Sequence, residues 1–371
     1  LTHESYIGTT EKTELSSTNT IVRTFKSKYD VKVDNPMSHL EFALKYDDLN
    51  LAFIKEVFLN IGHKIIEGYI KANPNRKYPR IIGFLYELTG GKSIEVKVTT
   101  TNYEDVLDST RYFTGSITKI SKWKVNDNLL GSKEYCPVIR KTTELSELLD
   151  WDIKEAIENL KREYSPDIFK RASYYLYKKE SKSSSEIEKE DPPQERMEKF
   201  ITLIEEAGQK PFEKSLSEEE LVRLQNTIVD PRYADKGFRN FQNYIGQTMR
   251  DHSQKIHYVC PPPQFVRSLM QGLINIGKKA ASTEIIIKAT IVSFGFVYIH
   301  PFEDGNGRIH RFLIHDILVR DGIVPNSTVL PVSAQILTNI GEYDATLELL
   351  SKLIERKVKY DINESGELTV H

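Results

Sequence analysis

The residues with the densest chemical content are His300-Pro301-Phe302-Glu303-Asp304-Gly305-Asn306-Gly307-Arg308-Ile309-His310-Arg311. A histidine titrates near neutral pH, so His300 is a candidate general base. Asp304 offers a hard carboxylate oxygen of the kind that holds Mg2+ on phosphates. Gly305 and Gly307 clear side chains from a turn, and the N–H groups of a helix opening there converge on an anion. Arg308 and Arg311 lie three apart and share one face of that helix's first turn. Two guanidinium groups beside an anion hole suit a di- or triphosphate. A lone Gly-Asn-Gly would be a capped helix corner with surface charges. Base, metal ligand, anion hole and arginine pair within one short segment argue for a site.

Such a loop needs an element on each side. The apolar run Ile285–Ile299, which contains Lys288, predicts a buried helix ending at His300 and is too short to span a bilayer. Phe312, Leu313, Ile317 and Leu318 predict an amphipathic helix after it. Further helices are predicted around Trp151, Ile153, Ile157 and Leu160, from Pro166 through Tyr177, and from Pro192-Pro193 through Ala207. Others start at a Ser217–Glu220 capping box and at Pro263, and one or two lie within 333–357. Between them, Tyr244, Ile245, Ile256, Tyr258 and Val259 flank a polar centre and predict a β-hairpin. The fold class expected is mainly α, preceded by a mixed α/β accessory region.

That accessory region is residues 1–145. Residues 1–35 are rich in Thr, Ser and Lys and predict a loosely ordered arm. Residues 38–90 predict two helices divided by Asn73-Pro74-Asn75, and Ile94–Val98 and Tyr112–Ile117 favour strands. Segment 146–208 is helical, 209–357 is the core, and 358–371 is an extension in which Glu367–Val370 looks like the start of a strand. That ending, and an N-terminus without Met or a signal pattern, suggest a piece trimmed from a longer protein.

A net charge of −2 gives no basic excess, which disfavours nucleic acid as the main ligand. Two distant cysteines, Cys136 and Cys260, make neither a disulfide framework nor a zinc site, so a reducing, cytoplasmic compartment is expected, with no membrane association.

At every specified position the segment resembles the Fic family signature, His-Pro-Phe-x-Asp/Glu-Gly-Asn-Gly-Arg-x-x-Arg. The resemblance implies a Fic-type helical core with a β-hairpin flap, and a protein adenylyltransferase using ATP and Mg2+ (or Mn2+). His300 would deprotonate the target hydroxyl, which is that of a Ser, Thr or Tyr. Asp304 would hold the metal between the α- and β-phosphates. Phe302, Gly305, Asn306 and Gly307 would belong to the nucleotide loop, and Arg308 and Arg311 would hold the β- and γ-phosphates. Residues 238–246 and 258–263 look like the family's flap. There Tyr244, Ile245, Gly246, Tyr258 and Val259 would bind an extended protein substrate. Leu330-Pro331-Val332-Ser333 through Tyr343 is also similar, with Tyr343 a candidate nucleotide contact. A homodimer is an open option.

The polar stretch 178–196 reads by composition as a solvated linker. Yet Ser184-Ser185-Glu186-Ile187-Glu188 resembles the family's inhibitory motif, Ser/Thr-x-x-x-Glu-Gly/Asn, in the class whose inhibitory helix precedes the core. The resemblance implies that Glu188 reaches Arg311 and displaces the γ-phosphate, with Ser184 part of the motif. Lys189 departs from the pattern, because lysine ends a helix in a left-handed cap poorly. Other Fic-type transfers (phosphocholine, UMP or phosphate), removal of AMP at the same site, and a protein-binding scaffold are the alternatives. Gly307 and Arg308, where kinase-like relatives carry Asn-Lys-Arg, argue against phosphate transfer.

Overall fold

Asparagine and proline punctuation sets the first helices. The Asn35 side chain accepts from the Met37 and Ser38 N–H groups and Pro36 takes the first helical position, which starts α1 (Pro36–Tyr46). Asn50 caps α2 (Leu51–Ile61) in the same way. Gly62, at φ 82°, lets α3 (His63–Ala72) follow at once. After Asn73-Pro74-Asn75 comes α4 (Lys77–Leu88). Four helices thus stand where two are predicted, divided at the predicted break.

The computed structural model describes residues 3–15, 21–31, 35–248, 254–326, 328–355, 358–363 and 367–371. The chain divides into two compact units, 1–141 and 142–371. In the first, β1 (His3–Gly8), β2 (Lys12–Leu15) and β3 (Ile21–Lys26) form a sheet of order β1-β3-β2. The predicted loose arm is therefore a sheet in its described part, because the β-branched run Ile21-Val22 and Thr24 finds two partner strands. A second sheet holds β4 (Glu104–Asp105), β5 (Thr118–Ile120) and β6 (Val125–Asp127). Neither predicted strand forms. Side chains take the backbone groups around Ile94–Val98: Glu87 binds the Ile94 N–H at 3.0 Å and Asn75 the Thr99 N–H at 2.9 Å. Tyr112 makes a single bridge, to Arg140. The core of this unit gathers α2–α4 around Trp123, Ile66, Ile70, Ile82 and Leu85.

The second unit is helical: α5 (Thr143–Leu149), α6 (Ile153–Glu163), α7 (Pro166–Ile187), α8 (Gln194–Glu205), α9 (Phe212–Ser215) and α10 (Glu218–Ile228) lead to the hairpin. Its strands are β7 (Tyr244–Thr248) and β8 (Gln254–Val259), antiparallel with an irregularity at Ile245/Gly246. Then come α11 (Pro263–Lys279), α12 (Ile285–Ile299), α13 (Asn306–Arg320), α14 (Val332–Thr338) and α15 (Ile340–Glu355). A terminal pair, β9 (Tyr360–Ile362) and β10 (Leu368–Val370), ends the chain. Buried residues surround α12, which packs between α11 and α13; its one charge, Lys288, pairs with Asp321 at 2.7 Å. Among the described residues no helix is long and apolar enough to cross a membrane.

One difference bears on the site. The helix predicted to stop at Tyr177 continues to Ile187 through the supposed linker. Ser181, Ser183, Ser184 and Ser185 are buried there, and their small side chains let α7 lie close against its neighbours α8, α13 and α14.

Candidate functional site

His300 ends α12 in the left-handed region, at φ 52° and ψ 61°. A non-glycine residue there costs about 1 kcal/mol, so the surroundings must hold it. Its Nδ1 lies 3.1 Å from the Val297 carbonyl oxygen, which can only accept. Nδ1 therefore carries the proton, and Nε2 keeps its lone pair. Burial pushes the imidazole down to about 4, against the pull of that carbonyl and with help from the Arg239 charge. The neutral ring is the form that can accept a proton.

The loop after His300 closes on its own backbone. Asn306 accepts from the Phe302 N–H at 3.1 Å and donates to the Phe302 carbonyl at 2.9 Å. The Phe302 ring is fully buried, against Phe238 and Phe296. Both residues are expected in the nucleotide loop, and their side chains face inward and brace it. Gly305, at φ 86°, turns the chain into α13. Asp304 stays 44% exposed at the lip, accepting from Arg308 at 3.1 Å.

Both arginines are buried and both meet carboxylates from the end of α7. Arg311 donates from Nε to the Ser184 hydroxyl at 2.9 Å, and from Nη2 to the Ser184 carbonyl and Glu188 Oε1, each at 2.8 Å. Among the described residues its Nη1 is buried with no hydrogen-bond partner, although the Tyr343 hydroxyl lies close to the guanidinium. Arg308 donates to Glu190, to Asp304 and to the Ile228 carbonyl. The Glu188 carboxylate sits directly over Gly307: a Cβ built there would meet Glu188 Oε1 at 2.1 Å. Lys189, the residue expected to end this helix poorly, does adopt the left-handed conformation, at φ 57°. The Glu190 N–H then closes onto the Ser185 carbonyl at 3.1 Å.

A cavity of about 460 Å³ is lined by His300, Gly307, Glu188, Tyr343, Ile245 and Tyr258, among others. It thus gathers the expected base, one loop glycine, the glutamate expected to inhibit and two residues expected in the flap. Tyr343 is half-buried on its wall, and burial pushes its hydroxyl up to about 12. In the hairpin, Ile245 is exposed, whereas Tyr258 and Val259 are buried, with the Tyr258 hydroxyl on the Tyr298 carbonyl at 2.7 Å. Gly246 lies opposite Ile256 and Tyr244 opposite Val259. A larger cavity, about 650 Å³ beside Phe169, Tyr174 and Tyr177, contains none of the candidate residues.

Three contacts around the candidate site escaped the sequence. Glu190 covers Arg308 and also pairs with Arg196. Its place two residues after Glu188 was a usable signal. Arg239 gathers the carbonyls at the end of α12, and it lay inside the stretch already compared with the flap. Glu180, buried in α7, accepts from the Ser333 N–H at 2.9 Å and lies 2.8 Å from His315 Nε2; nothing in composition marked it.

Residues 215–318 match the Fic/DOC family. A probable protein adenylyltransferase of Aquifex aeolicus is 38% identical over 64 residues, 17% of this chain and 20% of that protein. The protein adenylyltransferase fic-1 of Caenorhabditis elegans is 32% identical over 123 residues, 33% of this chain and 21% of that protein. The chain thus spans about a fifth of the length of these curated relatives. Among solved structures, a Fic family protein from Desulfovibrio desulfuricans G20 superposes with a TM-score of 0.44 at 18% identity, over 57% of this chain and 68% of that one.

Proposed function

Since residues 215–318 are a Fic/DOC-family domain, we propose that this Fic-family protein transfers AMP from ATP to a hydroxyl side chain of a protein, and that its own Glu188 holds it back. The observation that carries the reading is the carboxylate above Gly307. An anion already rests on Arg311, in a space that only glycine leaves open, beside the cavity that His300 lines.

The residues present fit a triphosphate. Among the described residues Arg311 Nη1 is a buried donor without a hydrogen-bond partner, which an incoming phosphate oxygen would satisfy. Arg308 and Arg311 emerge from one turn of α13 and would bind the β- and γ-phosphates once Glu188 and Glu190 withdraw. His300 Nε2 would take the proton from the acceptor hydroxyl as its oxygen forms a bond to the α-phosphorus. The bond from the α-phosphorus to the bridging oxygen breaks, and pyrophosphate leaves. Ile245 and the β7 backbone would present the acceptor as an extended segment. A magnesium ion entering with the phosphates would neutralise charge between them, and Asp304 is the exposed carboxylate that would hold it.

Inhibition follows from position. While Glu188 occupies Arg311 the γ-phosphate loses a ligand, and the α-phosphate is misaligned for in-line attack. Glu188→Gly removes that carboxylate. It should raise labelling of protein by α-labelled ATP about tenfold or more, the scale of one charge-assisted hydrogen bond. Adding His300→Ala should silence it. Label from γ-labelled ATP alone, or no label in the Glu188→Gly protein with candidate acceptors present, would overturn the assignment.

A further inference from the structure

Arg239 is 4% exposed, and among the described residues no carboxylate pairs with it. A buried charge without a counter-ion is expensive unless hydrogen bonds replace its water. Here all the partners are main-chain carbonyls. Nε donates to the His300 carbonyl at 2.7 Å, and Nη2 to those of Pro261 at 2.6 Å and Ile299 at 3.3 Å. Nη1 donates to the Phe241 carbonyl at 2.8 Å, and the Arg239 N–H donates to Pro301 at 2.8 Å.

These carbonyls come from two places. Ile299 and His300 lie at the end of α12, where a helix leaves carbonyls unsatisfied and carries partial negative charge. Phe241 and Pro261 lie at the two feet of the hairpin formed by β7 and β8. One planar, rigid guanidinium therefore spans the base and the hairpin expected to carry its acceptor. It also grips the residue whose left-handed backbone needs outside support.

We propose that Arg239 is the positioning residue for His300, fixing the imidazole and the hairpin in one relation through their backbone carbonyls. The proposal rests on His300 being the base. Lysine keeps the charge but cannot hold two feet and a helix end together, so position would be lost while charge remained. The charged groups facing His300 are Arg239 from the segment before the hairpin, Glu188 from the end of α7 and Asp304 from the loop. Lys189, Asp344, Glu348, Tyr258, Tyr298, Tyr343 and His257 also line its cavity. Arg239 lowers the imidazole pKa, and Glu188 and Asp304 raise it.

The test uses the full chain carrying Glu188→Gly, alone and with Arg239→Lys or Arg239→Met. Affinity for a fluorescent ATP analogue should stay within about twofold, since Arg239 touches none of the phosphate-binding residues. Turnover should fall about 100-fold in both variants, the cost of a small misplacement. The His300 ring, titrated by NMR, should shift upward in Arg239→Met and much less in Arg239→Lys. That readout needs no activity, so it separates failure of this proposal from failure of the transferase reading. Turnover unchanged in folded Arg239→Lys, or nucleotide affinity lost in step with turnover, or a His300 titration identical in both variants, would overturn it.

Discussion

Lys189 offers the sharpest quantitative handle on the proposed inhibitory segment. It closes the last turn of α7 at φ 57°, and the turn places Glu188 on Arg311 and Glu190 on Arg308. The left-handed conformation costs a lysine about 1–2 kcal/mol relative to glycine. Glycine has more freedom to lose when the turn forms, which offsets about 0.5–1 kcal/mol of that advantage. Lys189→Gly should therefore favour the docked turn by about 1 kcal/mol, or about fivefold in the docked-to-released ratio. If released molecules do the labelling, the initial rate of self-labelling with α-labelled ATP should drop about fivefold at matched ATP and Mg2+. The melting temperature should rise by about 2–4 °C, as expected for a unit of this size. Lys189→Val, β-branched and worse in this conformation, should move both measurements the other way. Equal or faster labelling by Lys189→Gly, with an unchanged melting temperature, would refute the reasoning that strain at this residue limits docking.

In the Glu188→Gly background, His300→Ala should abolish label transfer while circular dichroism and melting stay near those of the parent, because Arg239 still holds the backbone at the α12 end. Burial lowers the His300 pKa to about 4, and losing Glu188 lowers it further, so the rate in that background should show no His300 limb between about pH 6 and 8 and should fall only at or below about pH 4; a rate that halves near the ordinary histidine pKa would contradict the burial argument. Asp304→Ala should raise the Mg2+ needed for half-maximal rate and depress the rate at saturation; an unchanged Mg2+ titration removes Asp304 from the metal. Glu190→Gln should increase labelling beyond Glu188→Gly by less than its effect alone, since the two carboxylates share one turn; fully additive logarithmic effects would show that they act separately.

The helix-loop-helix was legible because its residues are contiguous: the candidate base, the carboxylate, the glycines and the arginines are sequence neighbours, and the helices on either side have clear periodicity. The hairpin was legible for the same reason. Contacts made at a distance were not. Glu190 meets Arg308 across 118 positions and Arg239 meets His300 across 61, separations that carry no pattern in one sequence. Composition misled at 178–196, because serine is polar whether it faces water or a close helix; Ser184 is fully buried. Motif membership also does not say which way a side chain points. Phe302 and Asn306 stand inside the signature, yet turn into the loop they stabilise. The first unit shows a third limit: where Asn75 and Glu87 side chains capture backbone N–H groups, β-favouring residues such as Ile94 remain outside any strand.

If Glu188 is the brake proposed here, the buried Glu180 contact sets where it would move. The Glu180 carboxylate receives the Ser333 N–H from α14 and faces His315 of α13, two turns before Glu188 on the same helix. Those bonds would serve as a fulcrum: they pin the shaft of α7, and lifting of Glu188 and Glu190 would need to open only the turn beyond Ser185. Release of the arginines then needs no departure of the helix, only fraying of its tip, an event of local opening rather than domain motion. Basal activity would accordingly track temperature and helix-end chemistry, and an activating partner would need to grip only the few residues beyond Ser185.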